Sequence, residues 1–234
     1  MDLEDLRAVS YTATQPQVLS SYRAGLFPMG IGSGGTGRMG WWAPRRRGVL
    51  LPGDIRVTKS LRKSMRRFDY SIDTDFEQVI RACADPSRPG SWITEDMIGL
   101  YLGLHADGWA HSVEVRSQGD LVGGLYGVAM GSLFAGESMF HNQRDASKAA
   151  LVHLVSLFDD PPPANTTTRA ATPIGSSDPT SADARQEAPD WLIDTQWQTS
   201  HLASLGVSEI SGLEYAARLD SALRGDHCQV FLNK

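Results

Sequence analysis

The chain has 234 residues, of which 41% are hydrophobic, so it can bury one large core or two modest ones. No apolar run approaches the roughly 20 residues that cross a bilayer, the acidic N-terminus lacks a signal-peptide pattern, and two cysteines make no disulfide framework or zinc spacing. These features favour a cytoplasmic protein without a membrane segment or a metal, and the net charge of −5 by itself argues against a nucleic-acid binder.

Apolar residues at helical spacing, together with capping residues, predict seven helices. The second begins at the cap Thr58, and the fourth begins at Thr94 and ends before Gly108. The helices are expected at residues 15–24, 58–68, 76–83, 94–107, 146–158, 199–205 and 212–223.

Strand-like segments alternate with these helices. They are expected at residues 48–51, 110–116, 121–130, 132–140 and 191–195, whereas residues 30–40 contain six glycines and are expected to form a loop. The interleaving predicts an α/β or α+β fold with a mixed sheet. A boundary near residues 52–54 would divide the chain into a small N-terminal domain, 1–54, and a larger domain, 55–234.

Residues 159–190 differ in composition from the rest. They hold six of the twelve prolines and no aromatic residue. Such a segment cannot bury enough apolar surface to offset its ordering entropy, so a disordered insertion is predicted.

Basic residues are concentrated between residues 38 and 67, where ten Arg and Lys face one acid, Asp54. The local charge is about +9, and the remainder of the chain carries about −14. This asymmetry indicates a local contact with a polyanion, although a solvated basic face would look the same.

A glycine-rich run extends from Gly123 to Lys148. As far as Phe140 it is mostly apolar, and Glu137 is the single carboxylate in that part. A strand with several glycines suits a backbone that lies close to a ligand. The turn Arg144–Ala149 is the nearest match to an acetyl-coenzyme A loop, but Ser147 replaces its first glycine. No P-loop, dinucleotide fingerprint or metal-ligand cluster is present, so an enzyme of this sequence would act on a substrate that is already activated, without a cofactor.

A series of distinctive motifs runs in order along the chain. They are YRAGLFPMG (22–30), WWAPRRRGVL (41–50), SWIT (91–94), LHADGWAHSVEV (104–115), LVGGLYGVAMGSLFAGESMF (121–140), ASKAAL (146–151), LIDTQ (192–196) and HLASLG (201–206). The chain resembles the leucyl/phenylalanyl-tRNA–protein transferases, and it departs from them in the 159–190 insertion and in Thr195, which is often cysteine.

The resemblance implies a small N-terminal domain and a larger N-acetyltransferase-like domain, in a monomeric, cytoplasmic bacterial enzyme. Such an enzyme transfers Leu or Phe, and less readily Met, from aminoacyl-tRNA to an N-terminal Arg or Lys, and the product enters the N-degron pathway. A peptidoglycan-bridge aminoacyltransferase or an acyl-CoA N-acetyltransferase on the same fold is the alternative.

Three residues are candidates for the chemistry. Asp194 and Gln196 alternate onto one face of a strand, and the resemblance implies that this Asp works through this Gln to accept the amine proton. A neutral amide is a very weak base, so Gln196 is interpreted as an orienting group, and Asp194 could instead only tie loops together. Glu137 is expected to bind the positive charge of the acceptor, with a buried pair to an internal Arg as its alternative.

The donor side chain requires an apolar pocket, which discriminates weakly between Leu, Phe and Met. Motif positions nominate Trp42, Trp92, Phe134, Met139, Leu154 and Phe158, with ordinary core packing as the alternative.

The helix expected at residues 58–68 lies within the basic region. It would bind the acceptor stem of the tRNA through the phosphates of the stem rather than through its bases. The predicted contacts are Lys59, Arg62, Lys63, Arg66 and Arg67, with support from Arg45, Arg46 and Arg47.

Overall fold

The structure is a computed structural model that describes residues 3–88, 92–159 and 190–231. Its helices are α1 (Gln15–Arg23), α2 (Lys59–Met65), α3 (Phe76–Cys83), α4 (Glu95–Ala106), α5 (Ala146–Asp159), α6 (Ser200–Ala203) and α7 (Gly212–Ala222). Its strands are β1 (Leu6–Ser10), β2 (Phe27–Gly30), β3 (Met39–Trp42), β4 (Arg46–Leu50), β5 (Asp69–Ile72), β6 (Ala110–Ser117), β7 (Asp120–Met130), β8 (Leu133–His141), β9 (Leu192–Gln196) and β10 (Ser208–Ser211).

The strands form two sheets. The small sheet is antiparallel in the order β1-β3-β2, and the large sheet has the order β10-β4-β9-β8-β7-β6-β5. Every pair in the large sheet is antiparallel except β8 and β9, which run parallel. The predicted α+β class with a mixed sheet is therefore confirmed.

Helices cover both faces of the large sheet. In β7, Leu125 belongs to the apolar core beneath α5, while its neighbour Tyr126 belongs to the core that contains α1, α3, α4 and the small sheet. Successive side chains of a strand point to opposite faces, so these two cores lie on opposite sides of β7.

The glycines of β7 mostly approach protein atoms. A Cβ at Gly123 would lie 2.5 Å from the Cβ of Ala146, and a Cβ at Gly127 would lie 2.3 Å from the carbonyl oxygen of Ala135. The expectation that the glycine run lies against a ligand is therefore corrected for Gly123 and Gly127, because these two glycines allow α5 and β8 to pack closely.

The long periodic elements were predicted well, and several short strands were missed. The region expected to be a loop, residues 30–40, includes the end of β2 and the start of β3. Strands β1, β5 and β10 were also not predicted, and α2 ends at Met65 rather than near residue 68.

The predicted domain division at residue 54 stays a prediction. The small sheet lies wholly before this position, but β4 also precedes it and pairs with β9 and β10 in the large sheet. The predicted insertion, 159–190, lies outside the described residues except for its two end residues.

A buried ion pair joins β4, β9 and α7. Arg47 donates from Nε and Nη2 to the two carboxylate oxygens of Asp194, at 2.8 and 2.6 Å, and both side chains are about 1% exposed or less. The hydroxyl of Tyr215 donates to the same carboxylate at 2.8 Å, and Arg47 Nη1 donates to the carbonyl of Gly25 at 3.1 Å. The pair therefore connects β4 and β9 of the large sheet to the end of α1.

Replacing Arg47 by Leu should lower the free energy of unfolding by about 3–5 kcal/mol, because Asp194 would remain buried without its counter-charge. Arg46→Leu is the matched control, since Arg46 pairs with Glu209 at 2.9 Å on the surface and should contribute about 1 kcal/mol or less. Urea denaturation of both variants measures their free energies of unfolding. Equal losses in the two variants would show that the buried pair stabilises the fold no more than the surface pair does.

Candidate active site

A cavity of about 250 Å3 opens between β8, β9 and α5 and reaches the start of α6. Its wall is mainly apolar, with Leu125, Phe134, Met139, Leu151, Leu154, Ile193 and Leu202. Polar groups enter it at Arg88, Glu137, Ser138, Thr195, Gln196, Thr199 and His201. An apolar cavity with a few convergent polar groups is the usual form of a small-ligand site.

Glu137 is the carboxylate of this cavity, and two tyrosines hold it in place. Tyr22 from α1 donates to Oε1 at 2.5 Å, Tyr101 from α4 donates to Oε2 at 2.7 Å, and the two hydroxyl oxygens lie 2.9 Å apart. The side chain is partly exposed to the cavity. Glu137 is thus fixed in one orientation by helices from the opposite side of the sheet.

The surroundings of Glu137 shift the pKa of its carboxyl group to near neutral pH. Burial raises the pKa of Glu137 to about 7, the two tyrosine hydroxyls act to lower it, nearby Asp194 raises it and Arg47 lowers it. Burial also raises the pKa values of Tyr22 and Tyr101 well above their ordinary value, so both stay neutral and can donate. Glu137 can therefore exchange a proton at physiological pH.

Asp194 faces away from the cavity. Its carboxylate is fully buried and accepts from Arg47, from Tyr215 and from the backbone amide of Gln196 at 2.9 Å. Although burial acts to lower the pKa of Arg47, Asp194 and then Tyr215 raise it, and the net shift is upward. Arg47 therefore remains charged in its buried position.

Gln196 ends β9 and does line the cavity. Its φ of +59° is in the left-handed region, and a register shift lies opposite it at Gly48 and Val49 of β4. This geometry interrupts the alternation that was expected to put Asp194 and Gln196 on one face. The two residues remain linked because the backbone amide of Gln196 donates a hydrogen bond to the Asp194 carboxylate, so Asp194 helps to fix the position of the Gln196 backbone.

Half of the predicted donor-pocket residues line the cavity, namely Phe134, Met139 and Leu154. The other three do not. Trp42 is fully buried and donates to the carbonyl of Met29 at 3.0 Å, Trp92 packs against the core of α1 and α4, and Phe158 packs behind Phe134 with ring centroids 6.4 Å apart. For these three, the alternative of core packing agrees with the structure.

Sequence reasoning missed several residues of this site. Leu125, Leu151, Ile193 and Leu202 have the ordinary spacing of core residues, and nothing local distinguishes them. Tyr22 and Tyr101 lie far from Glu137 in the sequence, and only the fold brings them into contact with it.

The predicted basic residues are all exposed. Lys59, Arg62 and Lys63 lie on α2, Arg66 and Arg67 follow its end, and none of the five forms an ion pair with a described residue. Ser64, from the buried side of α2, donates to the Asp145 carboxylate at 2.8 Å and fixes the helix beside the turn before α5. We refer to these five residues as the basic stripe.

The neighbouring arginines behave differently from the basic stripe. Arg45 pairs with Glu4 at 2.7 Å, Arg46 pairs with Glu209, and Arg47 is the buried partner of Asp194. The expected support of a polyanion contact by Arg47 is therefore wrong, because its guanidinium is inaccessible.

Within the part of the chain that the structure describes, no group of three or more His, Cys, Asp or Glu side chains could hold a metal ion. In the same part, every helix is too short or too polar to cross a membrane.

Comparison with known proteins gives consistent matches. The family model described as leucyl/phenylalanyl-tRNA protein transferase matches residues 49–162. Proteins named leucyl/phenylalanyl-tRNA–protein transferase are similar to this chain in several bacteria. They are those of Nitrosomonas europaea, with 40% identity over 90% of this chain and 79% of the relative, Paramagnetospirillum magneticum, with 41% over 90% and 89%, and Pseudomonas putida, with 41% over 93% and 85%.

The similar stretches include strand β8, which carries Glu137. In relatives that cover nine-tenths of this chain, the similarity extends beyond the residues of the family match. The matches reported above do not favour the two rival acyltransferase classes. With about 40% identity along nearly its whole length, this chain belongs to the leucyl/phenylalanyl-tRNA–protein transferase family.

Proposed function

We propose that this chain transfers Leu or Phe, and less readily Met, from aminoacyl-tRNA to the α-amine of an acceptor protein that begins with Arg or Lys. Family membership supports the class of reaction. The proposal includes a monomeric enzyme in the cytoplasm whose product is marked for N-degron-dependent degradation.

The observation that carries this proposal is the position of Glu137 in the wall of a mainly apolar cavity. Transfer needs an apolar wall and a carboxylate in one place, because the donor side chain is apolar and the N-terminal residue of the acceptor is cationic. Phe134, Met139 and Leu154 offer the apolar wall, and a pocket of this kind distinguishes single methylene groups only weakly. Tolerance of Leu, Phe and Met is consistent with that weak discrimination.

The bond changes require no external energy source, because an aminoacyl ester is already activated. The acceptor nitrogen attacks the ester carbonyl carbon, the new C–N bond forms, and the C–O bond to the ribose breaks. An acceptor that arrives as an ammonium first gives one proton to Glu137, and a second proton passes from the nitrogen to the leaving ribose oxygen. Holding both substrates together can supply about 7–11 kcal/mol of barrier reduction.

Glu137 has the properties of the proton acceptor in this scheme. Its pKa of about 7 is within about one unit of that of an ordinary α-amine, so proton transfer between them is nearly balanced. Before it takes the proton, its negative charge attracts the cationic acceptor. This assignment differs from the proton route through Asp194 that the family resemblance implies.

Gln196 and Asp194 take supporting roles in the proposal. The side-chain Oε1 of Gln196 receives no hydrogen bond from a described residue, so it is available to orient an N–H of the acceptor. Asp194 acts as a positioning residue, because its carboxylate is occupied by Arg47 and Tyr215 and holds the Gln196 amide.

Purified protein should move label from radiolabelled Leu-tRNA to a peptide that begins with Arg. The value of kcat/KM should fall as pH drops through about 7, because protonated Glu137 cannot accept another proton. Glu137→Gln should lower kcat/KM about 100-fold or more and remove this inflection.

The acceptor amine also titrates near neutral pH, so the ratio of wild-type to Glu137→Gln rates at each pH isolates the carboxylate. A constant ratio would remove Glu137 from proton transfer. No transfer from either Leu-tRNA or Phe-tRNA would overturn the proposed function itself.

The basic stripe supports the tRNA partner. Its five side chains are exposed and unpaired among described residues, and phosphate contacts of this type do not depend on base sequence. An enzyme that accepts several tRNAs needs a contact of this kind.

Changing Arg62 and Arg66 to Ser should raise the KM for aminoacyl-tRNA and reduce the slope of log KM against log salt by roughly 1.5–2, because two phosphate contacts are lost. The matched control changes Arg218 and Arg224 to Ser. Arg218 lies on α7 and Arg224 just beyond its end, and they are already paired with Glu214 and Asp220, so the salt slope should be that of the wild type. Equal effects of the two double variants would indicate only a general charge effect.

A further inference from the structure

A second cavity, of about 380 Å3, adjoins the candidate active site, and His201 lines both. Its other walls come from the end of β8, the turn that follows and the first turn of α5. They are His141, Arg144, Asp145, Ser147 and Lys148. Nothing in the function proposed above uses these residues.

The charge in this second cavity is mainly positive. Lys148 forms no ion pair with a described residue, and the guanidinium of Arg144 is 87% exposed with its nearest acid, Asp145, at 3.9 Å. The Asp145 carboxylate is the one negative group in the lining, and it already accepts a hydrogen bond from Ser64 at 2.8 Å. Burial lowers the pKa of His201, and the neighbouring Lys148 and His141 lower it further.

Neutral donors converge on the same cavity. Ser147 is 2% exposed, and its Oγ lies 3.2 Å from Nδ1 of His141. The backbone amides of Ser147 and Lys148, in the first turn of the 14-residue helix α5, donate to no described acceptor. A cationic side chain from the turn before α5 and another from the first turn of that helix, together with amides that have no described acceptor, form a site suited to a phosphate group.

The position of this cavity relative to the first one decides which phosphate it would bind. The aminoacyl ester would lie in the first cavity, and a single ribose separates that ester from the 5′-phosphate of the same nucleotide. A phosphate site immediately beyond the shared wall at His201 has the corresponding placement.

On the basis of the transfer reaction proposed above, we propose that the second cavity binds the 5′-phosphate of the terminal nucleotide of the donor tRNA, with Lys148 as its principal contact. The bond from Ser64 to Asp145 places the basic stripe beside this turn. Phosphates of the acceptor stem could then follow the stripe towards the cavity, while the terminal phosphate is held by Lys148.

The test uses two small donors that differ only in this phosphate, the 3′-phenylalanyl ester of adenosine and the same ester of adenosine 5′-monophosphate. With an Arg peptide as acceptor, wild-type protein should use the phosphorylated donor with about tenfold higher kcat/KM, the effect expected of one charge-assisted contact. Lys148→Ala should remove this preference while leaving the rate with the unphosphorylated donor unchanged, and Lys148→Arg should restore most of it.

Lys63→Ala, on the basic stripe, is the matched control and should keep the tenfold preference. A wild-type enzyme that uses both donors equally, or a Lys148→Ala variant that keeps the preference, would overturn the phosphate site while leaving the transfer reaction intact. Failure of the wild type with both small donors and with intact Phe-tRNA would instead overturn the proposed function.

Discussion

The ion pair between Arg47 and Asp194 is the interaction on which the site depends. It fills a buried position between β4 and β9, and it has contacts to α7 through Tyr215 and to the end of α1 through Gly25. A buried pair of this kind is costly to break because either partner alone would be an uncompensated charge. The pair therefore determines how β9 enters the large sheet and where Gln196 emerges into the cavity.

The two carboxylates of the site have opposite environments, and their roles separate accordingly. Asp194 has a full set of donors and a permanent counter-charge, so it has no capacity left for a substrate. Glu137 has two neutral tyrosine donors and no ion-pair partner among described residues, and burial raises its pKa to about 7. Because the charge of Asp194 compensates that of Arg47, Arg47 stabilises the charged form of Glu137 only weakly.

Sequence patterns predicted those parts of the fold that local chemistry determines. Helices with caps such as Thr58 and Thr94, and the long strands β6 to β8, agree with the structure. Short strands such as β1 and β10 were missed, because they are stable only through pairing with distant segments.

The residues of the site show the same difference between what local sequence predicts and what depends on distant contacts. Glu137 was identified because it is an isolated carboxylate in an apolar run, but its partners Tyr101 and Tyr22 lie 36 and 115 residues away. Arg47 looked like part of a basic cluster since its partner is 147 positions further along the chain.

The most direct test of this account is a carboxyl carbon-13 NMR titration, with the Glu137 signal assigned by its loss in Glu137→Gln. We expect a midpoint near pH 7, and a midpoint near the ordinary glutamate value of about 4.3 would contradict the account.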